Sequence, residues 1–284
     1  MLWFIVAGLS AVFLGHTAPF PFLLEAFAPS QSIWRMPVTD PPLVYLTYDD
    51  GPNPAATPQL LDVLREHDAR ATFFLIDAHL TEETATIVRR MFNDGHAVGL
   101  HADTRMLTVK TPAALAALLR GNADRMEQLT GHRPCRLFRP HAGWRSGSMY
   151  EGIARIEHRL VGWTWGLWDW NWYRPRDAAR LASRLGRAVS PGDIVVMHDG
   201  HHENPGADRQ YAIEATRRLV PALRARGYRF GALCEPSDPV TTGSSTANTA
   251  AASSNSWLAF VFRPFPPPRS PKVVERSSRP DPIT

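Results

Sequence analysis

Asp49 and Asp50 stand side by side in Thr47-Tyr48-Asp49-Asp50-Gly51-Pro52, directly after an apolar run. Adjacent carboxylates repel, so such a pair persists where one acid meets a cation and the other an arginine or a proton. One member can then bind a metal while the other takes a proton. Read alone, Asp-Gly-Pro is equally good chemistry for a solvated turn. Four other places change the balance: His101; Arg139 with His141; Asp169, Asn171 and Trp172; and His198 with Asp199. Each follows a short β-type run. Together they deliver carboxylates, imidazoles and a guanidinium, the groups needed for metal binding and proton transfer.

The elements that must position these residues alternate along the chain. Strands are expected at Val44–Thr47, Ala71–Ile76, Ala97–Leu100, Leu137–Arg139, Leu160–Trp163, Asp193–Met197 and Tyr228–Leu233. Amphipathic helices are expected between them, at Gln59–Leu64 (with Thr57 as cap and Pro58 at the first position), Glu82–Asn93, Pro112–Leu129, Ser148–Glu157, Asp177–Ala188 and Tyr211–Arg226. Gly-Pro after the paired acids predicts that both sit where strand becomes loop. Repeated strand–helix alternation argues an α/β fold with a parallel sheet, either a barrel or an open sheet. Enzymes of that architecture collect their chemistry at the C-terminal strand ends, where these residues fall.

Taken in order, Thr47-Tyr48-Asp49-Asp50-Gly51-Pro52, Ala71-Thr72-Phe73-Phe74-Leu75, the run Gly95 to His101, Phe138-Arg139-Pro140 and Val195 to Asp199 resemble the NodB-type polysaccharide deacetylases, carbohydrate esterase family four. The resemblance implies a distorted or incomplete (β/α) barrel that hydrolyses acetyl groups on glycans with a divalent metal, usually zinc. It implies Asp49 as general base, Asp50 and His101 as metal ligands, and Arg139 as the group holding the base. It implies His198 as the acid that protonates the leaving group, and Asp169 as the acid that orients that histidine. The chain departs from the family pattern at three places. Arg105 stands where a second histidine follows His101 by four residues, His141-Ala142 replaces Pro-Tyr after Arg139-Pro140, and Asn171 stands before Trp172 where an acid is common. Arginine offers donors only and cannot ligate. Arg105 therefore either swings away to an acid such as Asp103 or Asp50, or its guanidinium takes the cation's place. His141 could supply a polar substrate contact, and His201 and His202 either contribute a ligand or form a polar loop.

Of nine tryptophans, five lie between Trp163 and Trp172, and Trp144 follows the third motif. Such rings stack on sugars or fill a core; Trp144 and Trp172 are the substrate-binding candidates. The 31 basic and 27 acidic residues of the 284 give a net charge of +4, with no concentrated basic stripe, so nucleic-acid binding is not expected. Residues 1–40 open with an apolar run from Leu2 to Leu14, short for a membrane span and without a preceding basic residue. An uncleaved membrane anchor or signal-like segment is expected there, and with it an extracytoplasmic, secreted or anchored location. Residues 41–235 form the expected catalytic domain. Residues 236–284 hold nine of 25 prolines and nine serines, the composition of a disordered tail. Cys135 and Cys234 have no CxxC partner; two buried thiols are expected over one disulfide. The rival functions are a C–N hydrolase acting on a non-sugar amide and an inactive glycan-binding relative.

Overall fold

A computed structural model describes residues 3–8, 32–166 and 177–235, all within one compact unit, Met1–Ser244. Most of the expected N-terminal anchor, the Pro/Ser-rich tail, and Asp169, Asn171 and Trp172 lie outside the described residues. The strands are β1 (Ser32–Ile33), β2 (Leu43–Gly51), β3 (Ala71–Ile76), β4 (Ala97–His101), β5 (Leu137–Arg139), β6 (Arg159–Val161), β7 (Trp165–Gly166), β8 (Ile194–His198) and β9 (Arg229–Phe230). They line up as β1-β6-β5-β4-β3-β2-β8-β7, with β9 added to β2, and every pair is parallel. The helices are α1 (Thr57–Glu66), α2 (Ala85–Asn93), α3 (Pro112–Thr130), α4 (Gly147–Ala154), α5 (Ala178–Ala188) and α6 (Gln210–Arg224). The incomplete (β/α) barrel read from the sequence is the fold observed.

Period-two alternation sorts the strand side chains between two cores. Val44, Leu46, Tyr48, Phe73, Leu75, Val195 and Met197 join the large cluster that includes the inward residues of the helices. Tyr45, Phe74, Leu137, Val161, Ile194 and Leu233 form a smaller cluster on the opposite, concave face. In β2 the concave-side column runs Tyr45, Thr47, Asp49, which carries the first acid of the pair inward.

Three local expectations are corrected. β2 runs through Asp49 and Asp50 to Gly51 rather than stopping at Thr47. Asp50 takes φ 69°, and the register with β3 shifts between Asp49 and Gly51, so pairing continues around the bend. Helix α1 begins at Thr57, and its hydroxyl caps nothing, being held between Asn53 N–H and Asp199. Cys135 and Cys234 form a disulfide instead of two thiols. Leu233 N–H donates to Thr72 and Cys135 N–H to Val98, so the C-terminal segment is tied across the starts of the strands. That fastening lies at the end of the sheet away from the acids.

Candidate active site

Consecutive residues of a regular strand face opposite sides of the sheet. The left-handed conformation of Asp50, one an aspartate tolerates better than most residues, together with the bulge breaks that rule and re-aims its side chain. Several contacts hold the bend. His79 Nδ1 donates to the Asp50 carbonyl at 3.1 Å, and Gly200 N–H donates to the Asp49 carbonyl at 3.3 Å. Gly200 is required, since a Cβ there would lie 1.9 Å from the Asp50 carbonyl oxygen. Asn53 accepts from the N–H groups of Ala55 and Ala56 and donates to the Ala207 carbonyl, fastening the loop after the bend to the segment before α6. Arg209, also buried, holds the Gly200 carbonyl at 2.6 Å.

The two carboxylates reach different partners. Asp49 Oδ1 accepts from Arg139 Nη1 at 2.6 Å. Arg139 is fully buried, and its other hydrogens go to Thr47 Oγ1 and to the Val161 and Gly162 carbonyls. Its guanidinium lies 4.1 Å from the centre of the Phe74 ring. Burial lowers its pKa, an effect the Asp49 charge and hydrogen bond oppose. Asp50 Oδ1 lies 3.2 Å from His101 Nε2. His101 Nδ1 is 2.8 Å from the Arg139 carbonyl, to which it can only donate. That bond leaves Nε2 either protonated or with its lone pair toward the carboxylate, where a cation is required between the two acceptors.

The charges agree with this arrangement. Burial acts to raise the Asp50 pKa, but the hydrogen bond and charge of His101, then His198 and His141, hold it well below the ordinary carboxylate range. Burial opposes protonation of His101, and the Asp49 charge followed by the Asp50 bond and charge outweighs it, raising the pKa. His141 is pushed down to about 4, first by burial and then by the neighbouring His101 and His202.

β2, β4, β5 and β8 thus deliver Asp49, Asp50, His101, Arg139 and His198 to one end of the sheet. His101 is in register with Arg139, and Asp49 with His198. His141 opens the turn after β5, its ring 4.8 Å from that of His202. Arg105 follows neither expected course; it turns away and lies over Trp144, 5.4 Å from the ring centre. Among the described residues no three His, Cys, Asp or Glu side chains stand as a ligating group. Asp50 and His101 nonetheless suit two positions of a divalent ion such as zinc, which takes both carboxylate oxygen and imidazole nitrogen.

Sequence reasoning missed His79, Asn53 and Thr57 as supports; it placed Asp199 with His198 at a strand end and assigned it no role. Asp199 is 1% exposed and accepts from Thr57 Oγ1 behind Gly51, where a Cβ would lie 2.6 Å from its Oδ2. Burial pushes its carboxyl up to about 7, against the Thr57 bond and with some help from the Asp50 charge.

The polysaccharide deacetylase family model matches residues 37–161. A chitooligosaccharide deacetylase of Sinorhizobium fredii is 35% identical over 202 residues, 67% of this chain and 89% of its own. Among solved structures, a peptidoglycan N-acetylglucosamine deacetylase aligns with a TM-score of 0.63 at 25% identity, covering 74% of this chain and 94% of that one. A family 4 acetyl xylan esterase from Clostridium thermocellum in complex with a cobalt ion aligns with a TM-score of 0.59 at 28% identity, over 67% of this chain and 88% of that one.

Proposed function

The chain belongs to the polysaccharide deacetylase family, and from that premise we propose that it is a metal-assisted hydrolase removing acetyl groups from an N-acetylated glycan. The observation that carries this reading is the division of the adjacent acids, Asp49 onto Arg139 at 2.6 Å and Asp50 against His101 at 3.2 Å. Asp50 and His101 would hold the divalent metal, zinc by the chemistry of the donors. Bound there, the ion would polarise the acetyl carbonyl and acidify water.

The remaining work falls to the chain's own groups. Arg139 orients the Asp49 carboxylate through Oδ1, which leaves Oδ2 to take the proton of the attacking water. His198, at the neighbouring strand position to Asp49, returns a proton to the departing nitrogen, without which the amine leaves poorly. Asp169 is proposed to orient His198. Trp144 offers an aromatic face for a sugar ring, Trp172 is proposed as a second, and Arg105 lies over the Trp144 ring.

The test is acetate release from chitin oligosaccharides by the full chain, stripped of metal and then reloaded with zinc. Zinc-dependent release is expected. No release in either state overturns the reading; cleavage of simple aryl amides alone would favour the non-sugar C–N hydrolase.

An extracytoplasmic location is part of the same proposal. The Cys135–Cys234 disulfide is the chemistry of an oxidising compartment. Trp3 and Phe4, each 85% exposed in the helical stretch 3–8, support membrane association through the N-terminus. Among the described residues no helix is long and apolar enough to cross a membrane. Recovery of the native chain in a soluble cytosolic fraction, with its cysteines reduced, would overturn it.

A further inference from the structure

We propose that His141 is the third protein ligand of the metal held by Asp50 and His101, replacing the histidine that Arg105 displaces. The proposal rests on the metal-assisted reading above. It begins from a deficit: two side chains rarely hold zinc, whose catalytic sites ordinarily use three protein ligands. Arg105 cannot contribute, because its guanidinium has no lone pair to give and lies over Trp144 instead.

His141 Nδ1 is buried and has no hydrogen-bond partner. Leaving such a nitrogen unpaired costs about 1–3 kcal/mol, so its retention calls for an explanation. The imidazole is also one of the three whose charge Asp50 feels, after His101 and His198. Its position follows from the backbone. Arg139 is in register with His101, and His141 lies two residues further along, after Pro140. The chain then turns sharply, with Ala142 at φ 50° and Gly143 at φ 74°. A left-handed alanine costs on the order of 1–3 kcal/mol, a strain found chiefly where a site needs it.

His202 is the competing candidate and fits less well. Its ring packs against His141, with Nε2 3.8 Å from the exposed Glu203 carboxylate. Because no three ligating side chains are already assembled among the described residues, closure on the ion requires the His141 side chain to turn. An imidazole can bring a lone pair to the ion by changing rotamer, whereas Arg105 has none to bring in any rotamer.

The experiment titrates the metal-free full chain with zinc in competition with a chromophoric chelator, and separately with cobalt(II) followed by absorption. Removing a group that merely orients a ligand costs about 10–100-fold in affinity, so losing a ligand in His141→Ala should cost at least about 100-fold. His202→Ala should leave zinc affinity unchanged. Adding Arg105→His to His141→Ala should restore much of the loss by supplying an imidazole from β4's side. His141→Cys provides a signature independent of affinity. Both native cysteines are in the disulfide, so a thiolate-to-cobalt charge-transfer band in the near ultraviolet can arise only from the new thiol. Unchanged zinc affinity in His141→Ala, with no such band in His141→Cys and metal lost in Asp50→Ala, overturns the ligand assignment while keeping the metal. Failure of the parent chain to take up zinc or cobalt overturns the metal-assisted reading as well.

Discussion

Replacing Asp199 with asparagine should flatten one pH-dependent part of the protein's stability. The Asp199 carboxyl is 1% exposed, and its Oδ1 has no hydrogen-bond partner. Burial, reinforced by the Asp50 charge, lifts it from an ordinary 3.8 to about 7, although Thr57 and Arg209 favour the ionised form. In the unfolded chain the group loses its proton near pH 4, so between that value and about 7 the folded chain holds the extra proton. Stability is therefore greatest below the unfolded value and falls as the pH rises through the folded one. Three units at 1.36 kcal/mol each set the whole loss at about 4 kcal/mol. Asparagine keeps the shape, can still accept the Thr57 hydroxyl, and does not ionise. Urea denaturation of parent and Asp199→Asn at pH 4.5 and pH 8 isolates the effect, because ionisations common to both chains cancel. The variant's stability relative to the parent should rise by about 3 kcal/mol between the two pH values. A difference that is the same at both would refute the reasoning, since Asp199 would then carry no displaced titration.

Asp49→Asn should lower deacetylation by about 10²–10⁴-fold with metal content intact, whereas Asp50→Ala should lose metal and activity together; elemental analysis beside acetate release distinguishes them. Arg139→Ala would strand Asp49 and the Val161 and Gly162 carbonyls, costing about 3–5 kcal/mol of stability by denaturant unfolding. His198→Ala should slow release of an amine far more than release of an activated aryl acetate, and equal losses on both substrates would assign it a structural role. Reducing the Cys135–Cys234 bond, which closes a loop of 99 positions, should cost about 4–5 kcal/mol, read as a fall in Tm on adding reductant.

The alternation of strands and helices was legible because each β run is bounded by local signals. Ala71–Ile76 and Leu137–Arg139 fall where the residues place them, and Gly131, at φ 77°, ends α3 as a glycine should. The gathering of the candidate site residues at one end of the sheet was legible for the same reason: parallel strands bring their C-terminal ends together whatever the side chains are. What sequence spacing could not express was direction. Asp49 and Asp50 are neighbours, and only the left-handed turn at Asp50 sends one acid to Arg139 and the other to His101. That turn is held by His79, Gly200 and Arg209, residues 29 to 159 positions away, so no local pattern encodes it. The disulfide was misread for the same reason, since Cys135 and Cys234 meet only because the last segment crosses the strand starts. Arg105 shows the limit most plainly. Its chemistry, a permanent cation unable to ligate, is intrinsic to the residue; its choice of the Trp144 ring over an acid depends on which side chains the folded loops set within reach.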